Sequence, residues 1–211
     1  ENFLTGLHGF NKGFDIFDSQ GGNADILTNK ALEFLVKYTD KPFFLWLHYM
    51  DAHRPYNSGP YDKLYINDEL YDKQKKLPIV KNKYDWYGYN GIPESLAKEH
   101  KRENNPDYYI AHYDGGIKKI DEEIGILCER LKQLKLDKKT LIIITSDHGE
   151  MLGEHDYYFH HGWFVYEPLI KIPLIMKFYK VIPKNRIINS QISAHIDIMP
   201  TVYNLSLSNQ E

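Results

Sequence analysis

Residues 140–155 read TLIIITSDHGEMLGEH, and this stretch organises the rest of the chain. Leu141 to Thr145 are apolar or β-branched and uncharged, the pattern of a strand buried on both faces. The run then breaks into Ser146, Asp147, His148 and Gly149, with Glu150 and Glu154 close behind. In an open α/β sheet, ligands gather beyond the carboxyl ends of parallel strands. A carboxylate and an imidazole side by side at such an end can both reach one metal ion, and Gly149 lets the chain turn sharply while keeping bulk away. The plainer reading is a polar loop after a core strand, with Asp147 capping the segment after Gly149 and His148 packed inside.

Composition places few limits on this reading. With 211 residues, 42% hydrophobic and 26% charged, the chain is ordinary globular material, enough for one domain or a large piece of one. A net charge of −3 supplies no basic field for nucleic acid and no polybasic membrane patch. No apolar run approaches the ~20 residues needed to span a bilayer. The single cysteine, Cys128, falls in a helical pattern and excludes an internal disulfide. That suits a reducing compartment and is also compatible with an exported bacterial protein. The chain opens at Glu1, without methionine or a signal-like segment, so a processed or excised piece is expected and its address is not legible. Seventeen tyrosines and ten histidines stand out; tyrosine richness is read as compositional bias except where it surrounds histidine.

Upstream, residues 1–22 are an aromatic, glycine-rich loop. Asn23 or Asp25 caps a helix to about Tyr38, with Ile26, Leu27, Ala31, Phe34 and Leu35 on one face. Pro42 blocks its continuation, and Phe43 to Leu47 (FFLWL) is a second buried strand. Directly after it comes His48-Tyr49-Met50-Asp51-Ala52-His53-Arg54-Pro55. Residues 60–106 are polar, tyrosine-rich and weakly periodic, too long for a structureless loop in a compact domain; an insertion with short helices, a lid beside the site, is expected. Asp107 then opens a long helix with Ile110, Tyr113, Ile117, Ile120, Ile124, Leu127, Leu131 and Leu134 as its apolar stripe. Gly115 and Gly116 each cost that helix about 1 kcal/mol relative to alanine and mark a kink or close packing. A helix feeding the Thr140 strand is βαβ grammar and predicts a parallel sheet. Pro173 to Lys177 is a third strand, Arg186 to Ser193 a fourth, and Ile196 to Leu205 a closing helix.

Three polar clusters come after predicted core strands or their neighbours: His48/Asp51/His53, Asp147/His148 and His155/His160/His161. If the strands are parallel neighbours, all three share one sheet edge. Asp147 and His148 are the metal-ligand candidates, an O and N pair suited to Zn, Mn or Fe. His53, next to the restricted Arg54-Pro55 backbone, is placed to donate to an oxyanion or protonate a leaving group. Asp51 either orients His53 or starts the turn. His161 can supply a second donor, with His160 and His155 as competitors, one of the three packing against Tyr157 and Tyr158. Lys171 and Arg186 read as solvated charges.

FFLWLHYMDAHRPY (43–56), YDGGIKKIDEEIGILCERL (113–131), TLIIITSDHGEMLGEH (140–155), HGWFVYEPLIKIPLI (161–175) and HIDIMPTVYNL (195–205), taken in this order, resemble the sulfatases of the alkaline phosphatase superfamily. The resemblance runs from GFNKGFD to the IDIMPT helix. It implies an α/β fold with a central, mostly parallel mixed sheet and helices on both faces, which hydrolyses sulfate esters with a formylglycine nucleophile and a divalent metal, usually calcium. By motif, Asp147 and His148 correspond to metal ligands, His53 to the histidine that contacts the sulfate and assists the leaving group, and His161, loosely, to a Lys or His before the YE…P segment. His48, Asp51 and His160 are carried as substrate-binding candidates, for a small sulfate ester or a sulfated carbohydrate. The chain departs from the family pattern in lacking the nucleophile motif Cys/Ser-x-Pro/Ala-x-Arg, the paired N-terminal aspartates and the Lys-x-x-His segment. The resemblance therefore implies the central and later part of a catalytic domain, inactive as it stands. Two rivals are carried: a phosphodiesterase or phosphoethanolamine transferase on the same scaffold, kept open by the nitrogen ligand His148, and a binding module that keeps the sheet without the chemistry.

Overall fold

The computed structural model describes residues 5–56, 59–61, 63–66, 71–81, 89–188 and 193–207. Two helices form the frame. Helix α1 (Ala24–Lys37) starts after the extended residue Asn23, with Asp25 in its first turn and Lys37 in its last, which suits the helix dipole. It buries Ala24, Thr28, Ala31 and Leu35, at spacings of four, three and four. Pro106 sits in the first turn of the second long helix, where its missing N–H costs nothing, and the Asn105 side chain accepts the Asp107 N–H at 2.9 Å. This helix runs Pro106–Gln133; as the third in chain order it is α3, and α1 packs along it.

The buried face of α3 is not the apolar stripe expected from sequence. Tyr109, His112, Gly116 and Lys119 are buried, whereas Ile117 is exposed. The reason is the segment that covers the helix: the backbone carbonyl of Asp51 lies 2.3 Å from where a Cβ on Gly116 would be. Of the kink or close packing expected at the glycine pair, close packing is found at Gly116, and it seats the Asp51–Ala52 backbone directly on α3.

Residues 60–106 contribute β1 (Ile79–Val80), β2 (Ile92–Pro93) and α2 (Glu94–Glu99). Their described part is tied into the interior. Ile92, Leu96 and Ala97 are buried with Tyr56, Tyr109 and Phe159 in the principal apolar cluster. His100, closing α2, donates from Nε2 to the Pro55 carbonyl at 2.5 Å and accepts the Tyr108 hydroxyl at Nδ1, 3.2 Å away. That contact latches this segment onto the turn that carries His53.

Strand β3 (Ile142–Thr145) forms where the uncharged run predicts it. It pairs antiparallel with β6 (Leu174–Lys177), Ile142 facing Lys177 and Thr145 facing Leu174. The parallel pairing expected of β3 is not found among the described residues; the parallel ladder there is β1–β2. Nor is β3 covered on both faces: all its residues are partly or fully exposed, and Ile175 on β6 is 57% exposed. Phe43–Leu47 joins no ladder among the described residues and leaves Phe44 and Trp46 at 74% and 51% exposure, so the buried strand expected there is corrected. β4 (Met151–Leu152) and β5 (Tyr158–His160) form a bulged antiparallel hairpin. The 60–106 segment touches this hairpin through Asn90 N–H to Asp156 O at 2.7 Å. α4 (Glu167–Ile170) comes next, and α5 (Ile198–Leu207) is the expected closing helix. Residues 186–188 are not strand, and most of the rest of that expected strand lies outside the described residues.

Candidate active site

At the carboxyl end of β3 the chain is held from three sides. Thr145 Oγ1 donates to Pro173 O at 2.9 Å, His195 Nε2 donates to Ser146 O at 2.8 Å, and Gly149 N–H donates to Leu169 O at 2.8 Å. The loop between is thereby rigid, with Asp147 exposed and His148 partly exposed. The His148 N–H donates to Asp147 Oδ1 at 3.0 Å. Its Nδ1, 2.7 Å from Gly149 O, must carry the proton, because a carbonyl only accepts. Nε2, the lone-pair nitrogen of the neutral ring, lies 3.7 Å from Asp147 Oδ2. One free carboxylate oxygen and one imidazole lone pair face the same space.

His53 reaches this loop from the other side. Its Nδ1 donates to Arg54 O at 2.7 Å, again leaving Nε2 unprotonated. Its ring packs edge-on against His161 at 5.1 Å, and His161 stacks on His148 at 4.0 Å. Glu150 completes the group: it is buried, and both carboxylate oxygens lie within hydrogen-bond reach of His161 Nδ1, at 3.2 and 3.3 Å. Members of all three predicted clusters, His53, His148 and His161, thus meet at one place.

Burial shapes the electrostatics of two of the histidines. Burial depresses the charged form of His53, and the positive form of His161 adds to this, against the hydrogen bond to Arg54 O. Burial pushes the His160 imidazole down to about 4, with Arg54 and His161 adding to the effect and Glu150 opposing it. The Tyr56 hydroxyl, wholly buried, is raised well above its ordinary range by burial and by the Glu150 carboxylate.

The His160 shift sets a stability prediction. Above pH 6.5 the ring is neutral whether folded or unfolded; on acidification the unfolded chain takes a proton that the folded chain refuses until about pH 4. Stability is expected to fall across that window, by at most about 3 kcal/mol from this group. His160→Gln should flatten the slope of urea-unfolding midpoints between pH 6.5 and pH 4. An unchanged slope would assign the acid sensitivity elsewhere.

Other sequence candidates lie apart. Asp51 does not orient His53: its buried carboxylate is turned to Lys119 Nζ at 2.8 Å, with Asp25 at 3.4 Å from the same ammonium. A buried carboxylate is tolerable only when paired, and Lys119 on α3 is the partner within reach. Asp51 still lines, with His53, Arg54 and Asn23, a cavity of about 200 Å³. The His48 ring packs edge-on against Trp46 at 6.5 Å, and among the described residues no contact joins it to the histidine group. His160 is buried beneath the site, its ring 6.0 Å from His161. His155 stacks on Tyr166 at 4.1 Å, packing as one of the trio was expected to, on a different tyrosine. Sequence reasoning missed Glu150 and Arg54 as site residues; the signal for Glu150 was its place two residues after His148 in the same loop.

The donor set can be tested against a divalent metal. Asp147 Oδ2 and His148 Nε2 are adjacent and not taken up by the loop's own hydrogen bonds to Asp147 Oδ1 and His148 Nδ1, so they fit as two ligands of one ion. Among the described residues no group of three or more His, Cys, Asp or Glu is arranged to hold it alone.

An α/β scaffold thus carries an Asp-His pair and further histidines over the carboxyl end of one strand. The fold is similar to that of a phosphonate monoester hydrolase from Silicibacter pomeroyi, with a TM-score of 0.61 and 23% identity, covering 94% of this chain and 45% of that one. The profile of the sulfatase family matches residues 6–206, and the chain belongs to that family, within the alkaline phosphatase superfamily. It is 30% identical over 197 residues to the multifunctional alkaline phosphatase superfamily protein PehA of Trinickia caryophylli, covering 85% of this chain and 37% of that protein. It is 32% identical over 143 residues to an N-acetylglucosamine-6-O-sulfatase of Bacteroides thetaiotaomicron, covering 64% and 24%. The chain therefore spans well under half the length of these relatives. No helix among the described residues is long and apolar enough to cross a membrane.

Proposed function

We propose that the full-length protein carrying this chain is a metal-dependent sulfuric ester hydrolase acting on a small sulfate ester or a sulfated carbohydrate. The observation that carries this is the meeting of His53, His148 and His161 beside the free oxygen of Asp147. Family membership supports the reaction class, and the likeness to an N-acetylglucosamine-6-O-sulfatase supports the carbohydrate.

Asp147 and His148 would hold the divalent metal, calcium by family habit, although an imidazole nitrogen equally suits Mn or Zn. When bound, such an ion polarises the ester and lowers the cost of charge building on its oxygens. The nucleophile, a formylglycine in this family, would come from a part of the polypeptide beyond these residues. His161 is oriented by Glu150, so its Nε2 is aimed at a fixed point. His53 rests neutral, and the negative charge of an arriving ester favours its protonation, which makes it the donor to the departing alcohol.

A second reading, phosphoester or phosphonate hydrolysis, draws support from the fold likeness to the phosphonate monoester hydrolase and from the nitrogen ligand. The full-length protein, with its metal content measured, is expected to turn over p-nitrophenyl sulfate far faster than bis-p-nitrophenyl phosphate. The reverse preference would transfer the assignment to the phosphoryl reading. A metal-free protein inert on both would leave a binding module.

A further inference from the structure

We infer that Arg54 is the cation that grips the anionic end of the ester. This rests on the ester-hydrolase reading and adds a residue to it. Arg54 lies between His53 and Pro55, and its backbone carbonyl already fixes the His53 ring. Its Nη1 is buried without a hydrogen-bond partner. Among the described residues no carboxylate comes within ion-pair distance of it. Arg54 also lines, with His53, the cavity of about 200 Å³, so the cation and that imidazole border one space.

The other charges nearby are accounted for. Lys119 is shared by Asp51 and Asp25, Glu150 faces His161, and Asp147 faces His148. The imidazoles of His53 and His160 favour their neutral forms. An arginine cannot shed its proton to escape burial, so a guanidinium N–H without a partner calls for an acceptor, best met by an anion. A sulfate or phosphate ester presents oxygens that match the guanidinium fork in both charge and geometry. A neighbouring protein carboxylate would have met the same demand, and none does so among the described residues.

The test uses the full-length protein with Arg54→Gln and, to preserve the packing of the side-chain stem, Arg54→Met. Inorganic sulfate as competitive inhibitor and p-nitrophenyl sulfate as substrate are the probes. Losing charge-assisted hydrogen bonds should raise KM and the sulfate inhibition constant about 10- to 100-fold, with kcat changed less. Values within twofold of wild type in a folded variant would overturn the assignment. So would a fall in kcat at constant KM. If the wild-type protein turns over no ester, the enzymatic reading fails separately. Arg54 is then judged on the full-length protein by histidine-ring proton NMR during sulfate titration. Saturable shifts of His53 and His160 signals that vanish in Arg54→Met support it. No shift in wild type, or the same shift in the variant, overturns it.

Discussion

Replacing His53 by alanine in the full-length protein is expected to lower kcat for an alkyl or sugar sulfate by about 10²- to 10⁴-fold. Its effect on p-nitrophenyl sulfate should be much smaller. The difference lies in the leaving groups. A sugar alkoxide is too basic to depart without a proton, whereas p-nitrophenolate leaves unaided. His53 is the histidine whose Nδ1 is committed to Arg54 O and whose Nε2 is left for substrate, so the proton must come from that nitrogen. Because burial depresses its charged form, an anion in the site is expected to favour the protonated, acidic form of His53. The alkaline limb of kcat should therefore belong to His53 and vanish in the variant. Equal losses on both substrates would deny it the role of acid and leave a binding histidine.

Gly149→Ala is expected to damage both fold and site, although it adds a single methyl group. The new Cβ would lie 2.0 Å from the Pro168 carbonyl oxygen and 3.1 Å from its carbon. Both are backbone atoms at the start of α4, and Gly149 N–H is bonded to Leu169 O in the same place, so no flexible side chain can yield. Overpacking of this kind costs about 1–3 kcal/mol, occasionally more. Relief would come from moving the Asp147–Glu150 loop, and a shift of about 1 Å in a site can cost on the order of 10²-fold in rate. Gly125→Ala is the control: its Cβ meets nothing within 4 Å, and the helix should gain up to about 1 kcal/mol. Urea-unfolding midpoints should move in opposite directions for the two variants. A Gly149→Ala protein as stable as wild type would refute the close packing.

How much of this was legible beforehand depended on what each residue needed in order to be read. Asp147 and His148 stand at the end of an uncharged β-branched run, a signal that local sequence carries by itself, and β3 formed there. His53 and His161 were legible as chemistry-bearing residues but not as neighbours; their meeting depends on α3 seating one segment and on the β4–β5 hairpin delivering the other. Phe43–Leu47 has the same apolar signature as β3, yet a strand also needs an edge to pair with, and a pattern of side chains does not name its partner. On α3 the apolar period pointed to isoleucines, whereas the covering loop selected the face with the smallest residue. Asp51 looked like a helper of His53 because it is near in sequence. Its real partner, Lys119, is near only in space. Glu150, whose partner His161 lies eleven residues on, was hidden for the same reason.

The uncovered greasy side chains around the β3–β6 ladder and the Phe43–Leu47 segment, Phe44, Trp46 and Ile175 among them, have a practical corollary. Water tolerates such surface poorly, and two strands alone make a weak sheet. Expressed by itself, this stretch should behave as a chaperone client, staying dispersed only in dilute solution and clumping as it is concentrated. Solubility tags or holdases would be prudent companions in any attempt to purify it.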